Sequence, residues 1–101
     1  MIMNLNIQTQ RFDASSNLVT FIEKKLSKLA QYNDKITKID VYLKLDNVAN
    51  KVQDKIAEIK VHIPKNNFFV KHTSKSFEES IDVALVSVIT QIKRKKQKMA
   101  A

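Results

Sequence analysis

The chain ends in QIKRKKQKMAA, where Lys93, Arg94, Lys95, Lys96 and Lys98 place five cations within six positions. Side chains of this kind make charge-assisted hydrogen bonds to phosphate oxygens and release the counterions condensed on a nucleic acid. Close like charges also repel one another, so an isolated helix end of this composition frays unless an anion neutralises it. A second basic set, Lys24, Lys25 and Lys28, lies within FIEKKLSKLAQY. Solvation of a helix face accounts for that set when it is taken alone, but the terminal run is harder to explain so. A polyanion fits both sets, with RNA, an anionic membrane or an acidic protein as candidates.

Other chemistries have little support. The chain has no cysteine, which removes disulfides, thiolate metal sites and thiol nucleophiles. It also has no glycine, so neither a phosphate-cradling loop nor a G-x-S-x-G elbow can form. His62 and His72 lack further ligands at metal-binding spacing and read as ordinary sheet residues. Glu78, Glu79 and Asp82 form a carboxylate group, yet a capped helix N-terminus explains them fully. The expectation is a protein that is not an enzyme, with no metal, no cofactor and no small-molecule substrate.

At 101 residues the chain is long enough for one modest core and reads as a single domain, residues 1–101. Hydrophobic residues make up 44%, which places it among globular rather than disordered chains. The formal charge of +8 speaks to partners rather than to fold. MIMNLNIQTQ has neither the basic start nor the long apolar run of a signal peptide, and no stretch is long and apolar enough for a membrane helix.

The elements that must position the cations follow from periodicity. MNLNIQTQ alternates, with Met3, Leu5 and Ile7 on one face, and predicts a strand. Leu18, Ile22, Leu26 and Leu29 make one stripe of an amphipathic helix that Ser15 is placed to cap. ITKIDVYLKLD sends Ile39, Val41, Leu43 and Leu45 inward. KIAEIKVHI does the same with Ala57, Ile59, Val61 and Ile63. In PKNN, Pro64 presets a turn and Asn66 and Asn67 are the residues able to take the left-handed conformation. NFFVKHT then puts Phe68 and Val70 inward, with Phe69 and Lys71 outward.

Ser76 to Glu79 reads as a capping box at the start of a second helix, whose stripe is Phe77, Ile81, Ala84 or Leu85, Val88 and Ile92. The order β-α-β-β-β-α predicts an α+β fold, a four-stranded mixed sheet with both helices on one face, similar to a double-stranded-RNA-binding domain. Strands one and two run parallel across a right-handed crossover. The two basic sets then share one side of the molecule and are expected to form one continuous positive surface. Because the second helix needs its apolar face for the sheet, a membrane is the weaker polyanion. Tyr42 and Phe69 point outward as in an RNA-recognition motif, but that fold has a helix where this chain has only the turn at Pro64.

Taken in order, MNLNIQTQ, FIEKKLSKLAQY, IDVYLKL and SFEESIDVALVSVITQIKRKKQK resemble the short ribosome hibernation factors, also called ribosome-associated inhibitors or sigma-54 modulation proteins. The resemblance covers essentially the whole chain. It implies a cytoplasmic protein that binds the rRNA of the small ribosomal subunit over the mRNA path and tRNA sites and inhibits translation in starvation or stationary phase. Carried over by position, the implied rRNA contacts are Lys24, Lys25, Lys28, Lys93, Arg94, Lys95, Lys96 and Lys98. The chain departs from the family where members often carry mid-helix cations, having Ser87 and Thr90 there, and where the last hairpin often has glycine. Its end matches the short form. The oligomeric state is left open, with a monomer expected, and the effect on ribosome dimers is not legible. The alternatives are a basic RNA-binding module with another target and a protein-interaction module that modulates a sigma factor.

Overall fold

The computed structural model describes residues 4–10, 14–31, 35–47, 53–64 and 66–100, with backbone alone at 30, 46, 47, 53, 54, 66 and 95–100. The elements are β1 (Asn4–Gln10), α1 (Ser16–Leu26), a 3-10 segment (Ser27–Gln31), β2 (Lys38–Asn47), β3 (Gln53–Ile63), β4 (Asn66–Ser74) and α2 (Phe77–Ala100). The strands lie in the order β1-β2-β3-β4. β1 is parallel to β2, and the other two pairings are antiparallel. This is the expected α+β arrangement.

Alternation in the strands decides which face the helices cover. Ile39, Val41 and Leu43 of β2 and Ala57, Ile59 and Val61 of β3 are fully buried, with Phe68 and Val70 of β4 nearly so. Against them pack Ile22 and Leu26 of α1, Leu29 of the 3-10 segment, and Phe77, Ile81, Ala84, Leu85, Val88 and Ile92 of α2. Each of the Val, Leu, Ile and Phe side chains contributes about 1.5–3 kcal/mol by leaving water. Leu5 and Ile7 are only half-buried, since β1 has a neighbour on one side alone.

Ser15 caps α1 as expected, its hydroxyl accepting from the Leu18 N–H at 3.2 Å. The helix ends at Leu26, earlier than the apolar stripe implied. The Ser27 hydroxyl turns back to the Lys24 carbonyl at 3.0 Å and the chain tightens into the 3-10 segment, which carries Lys28. The last hairpin also differs from expectation. Ile63 pairs with Asn66, so residues 64 and 65 make the connection, and Asn66 and Asn67 already belong to β4.

At the start of α2 the Ser76 hydroxyl accepts from the Glu79 N–H at 3.1 Å. The reciprocal half of the capping box is replaced, because the Ser76 N–H goes to the Ser74 hydroxyl at 3.3 Å. Ser80 sits among the apolar residues with no exposure. Its hydroxyl donates to the Lys55 carbonyl at 2.7 Å and lies 2.7 Å from the Ser74 hydroxyl. A buried hydroxyl is tolerated on these terms, and here it fastens α2 to the start of β3.

Candidate nucleic-acid interface

The directions of the helices follow from the sheet. β1 is parallel to β2, and two antiparallel pairings make β4 parallel to both. α1 returns from β1 and α2 returns from β4, on the same face, so the two helices run the same way. Their basic C-terminal ends therefore point toward the same end of the molecule. Glu78 and Glu79 occupy the first turn of α2, where the positive end of the helix dipole favours them.

Lys24 and Lys28 are exposed. Lys25 is engaged: its Nζ lies 3.5 Å from Asp82 Oδ1 of α2 and 5.5 Å from the centre of the Phe21 ring. At that exposure the ion pair contributes about 0.2–1 kcal/mol, enough to bias Lys25 toward the helix–helix contact and not enough to hold it there against a phosphate. Lys93 and Arg94 are exposed and directly follow Ile92, the last residue of the buried stripe. The helical backbone continues to Ala100 and carries Lys95, Lys96 and Lys98, whose side chains lie outside the described residues.

The two basic sets sit on separate elements, the first on α1 and the 3-10 segment and the second on the last turns of α2. From Asp82, the partner of Lys25, eleven residues of α2 lead to Lys93, about 16 Å along the axis. That is about twice the screening length of ~8 Å at physiological salt. The intervening surface of α2 bears exposed Val83, Val86, Ser87 and Thr90. Thr90 turns its hydroxyl back to the Val86 carbonyl at 2.8 Å. Every cation of α2 follows Ile92, the last residue of its buried stripe.

On the opposite face of the sheet, Asp40 is only 8% exposed. His62 Nε2 lies 3.0 Å from its Oδ2, and Lys38 Nζ lies 3.7 Å from its Oδ1, an ion-pair distance too long for a hydrogen bond. Lys44 pairs with Glu58 at 2.9 Å. His62 thus serves the sheet, and His72 lies on the helix-covered side beside Ala57. Among the described residues no group of three or more His, Asp or Glu converges on one point, and no helix is long and apolar enough to cross a membrane.

The family model described as Sigma 54 modulation protein / S30EA ribosomal protein matches residues 5–100. The chain belongs to that family. Among solved structures it is similar to a ribosomal subunit interface protein from Coxiella burnetii, at a TM-score of 0.81 and 24% identity over 94% of this chain and 99% of that one. At that identity the likeness shows the fold. It is also similar to the N-terminal domain of Thermus thermophilus Protein Y, at a TM-score of 0.76 and 28% identity over 91% and 98% of the two chains. No curated protein matches the chain significantly.

Within this family framework, two features escaped sequence reasoning. Ser80 falls on the same helical stripe as Phe77, Ala84 and Val88, so its burial was signalled by spacing and obscured by its type. The Asp40–His62 pair joins residues adjacent to a direct cross-strand pair, since Lys38 faces His62 and Asp40 faces Lys60. Only the strand register reveals that diagonal.

Proposed function

We propose that this chain is a ribosome hibernation factor that binds the small ribosomal subunit through its rRNA, in the mRNA and tRNA channel, and inhibits translation by occupancy under stress or in stationary phase in the cytoplasm. Membership of the family carries this reading. The placement of the cations supports it. A helix whose backbone continues past Ile92 carries Lys93, Arg94, Lys95, Lys96 and Lys98 in its last turns, and the exposed Lys24 and Lys28 offer a second contact. Lys25 joins them only by giving up Asp82. Occupancy makes and breaks no covalent bond, so the function requires positioned charge rather than a reacting group.

The test replaces Lys93, Arg94, Lys95, Lys96 and Lys98 by Gln, which keeps helix propensity nearly constant. Co-sedimentation with small subunits and inhibition of an in vitro translation reaction are then measured. Both should fall together, while Lys55→Gln with Lys75→Gln, near the other end of α2, should leave them close to the parent protein. Wild-type inhibition by the five-fold variant overturns the assignment of the site. Absence of the parent protein from the small-subunit fraction overturns the function and favours a partner off the ribosome.

A further inference from the structure

The outer face of the sheet carries chemistry that the helix side does not use. By register its rows read Asn6–Asp40–Lys60–Phe69 and Gln8–Tyr42–Glu58–Lys71. Phe69 is 53% exposed, although an outer sheet face in water ordinarily carries polar side chains. Tyr42 is half-buried in the next row. The two acids among these residues are already engaged, Asp40 with Lys38 and His62, and Glu58 with Lys44. Lys60 and Lys71 are the cations left over: one lies directly across from Phe69 and the other two residues along on the same face of β4. Neither makes an ion pair among the described residues. An aromatic ring is thus flanked on two sides by uncompensated positive charge.

We propose that this face is a second RNA surface, on which Phe69 and Tyr42 stack bases of a single-stranded segment while Lys60 and Lys71 meet its phosphates. It uses other residues than the proposed ribosomal contact and does not depend on it. Stacking on exposed rings beside a positive track is how sequence-tolerant single-strand sites are built, because every base has a π-face. From strand spacing and rise, the two rings are about 12 Å apart, so they suit non-adjacent bases of one strand rather than a sandwich around one base. Beside Tyr42, Gln8, Gln10 and Lys44 help to line an open hollow of about 320 Å³, where amide groups can meet the edges of a base.

A duplex offers these rings no free base face, and an acidic peptide has no need of them, so charge and aromaticity together select single-stranded RNA. The experiment measures anisotropy of a short labelled oligouridine, using a variant with Gln at 24, 28, 93, 94, 95, 96 and 98 as the parent, so that the helix-side cations are silent. This parent should still bind. Phe69→Ala should weaken it about tenfold, in the range expected for one lost stacking contact, and Phe69→Tyr should restore it. Lys60→Gln with Lys71→Gln should flatten the salt dependence by about 1.4 log units. Phe69→Ala should melt like the parent because the ring is exposed, so loss of binding is not loss of fold. Unchanged affinity in Phe69→Ala, or no binding by the parent, overturns the proposal. So does an equal loss on duplex RNA of the same length, which would mean that charge alone is read. Co-sedimentation with small subunits is a separate readout, so this proposal and the ribosomal one stand or fall independently.

Discussion

Ser80 has no solvent exposure, and its hydroxyl closes a chain that runs from Ser74 to the carbonyl of Lys55. With its one proton on that carbonyl, Ser80 accepts from Ser74 or leaves Ser74 to donate to the Ser76 carbonyl at 2.7 Å. Ser80→Ala removes the hydroxyl that joins Ser74 to the part-buried Lys55 carbonyl, at a cost of about 1 kcal/mol. For a chain of this size each 1 kcal/mol lowers the melting temperature by about 4–8 °C. A thermal scan that shows no drop would mean that water replaces the hydroxyl. Asp40 is the other polar residue that the fold has drawn inward. Its two oxygens face different partners, Lys38 and His62, so Asp40→Asn should destabilise by about 1 kcal/mol, and His62→Gln should cost less when combined with Asp40→Asn than in the parent. Urea melts of the four proteins give that coupling directly.

At the level of elements, Leu43 tests the sheet. It has no exposure, and both neighbours in its row, Thr9 and Ala57, are small. Leu43→Asp buries an unpaired charge and should cost several kcal/mol, abolishing the cooperative melt. A normal melt would put the wrong face inward. That face was legible in the sequence because period-two alternation runs through IDVYLKL and AEIKV, with Ile56 the exception beside them, and the buried stripes on α1 and α2 are longer than the exposed Val83 and Val86 pair. Where α1 ends was not legible, because Leu29 continues the helical spacing into a 3-10 segment and still reaches the core. The last turn was misread for a related reason. Asn residues suit both a turn and a strand end, and only the pairing of Ile63 with Asn66 chooses between them. The cations of the proposed site were visible as types, but their separation depends on how α1 lies against α2, which the packing of both helices into one core sets and no periodicity encodes.

Across the whole molecule the charge is +8 and the longest extent is 49 Å against 26 and 19 Å for the others. A long body with cations toward one end of its helices should approach a polyanion end-first, with electrostatic steering raising the association rate at low salt. Affinity for small subunits should fall with a slope of about 0.9 log unit per log unit of salt for each phosphate engaged in a duplex region. Titrations at several salt concentrations check this. Neutralising the five terminal cations should flatten the slope by up to about 4.5, and Lys24→Gln with Lys28→Gln by up to about 1.8. If the two losses add, the patches act independently, as their spacing requires. A salt-independent affinity would rule out phosphate contact as the basis of binding.

The pairing of β1 has a kinetic consequence. Ile63 meets Asn66 across two residues, whereas Asn4 meets Lys38 only after the whole of α1 has been laid down between them. Closing that long loop costs more entropy than closing the hairpins, so the meander of β2, β3 and β4 should form the nucleus and β1 should dock late. Substitutions in β1 should then act on escape from the native state rather than on arrival. Ile7→Ala should speed unfolding about tenfold for each ~1.4 kcal/mol it costs and leave the folding rate nearly unchanged, while Ile59→Val should slow folding. Stopped-flow chevrons separate the two limbs. A first strand that joins last also opens first, which makes the N-terminal edge the place where this protein should begin to exchange amide protons and to meet a protease.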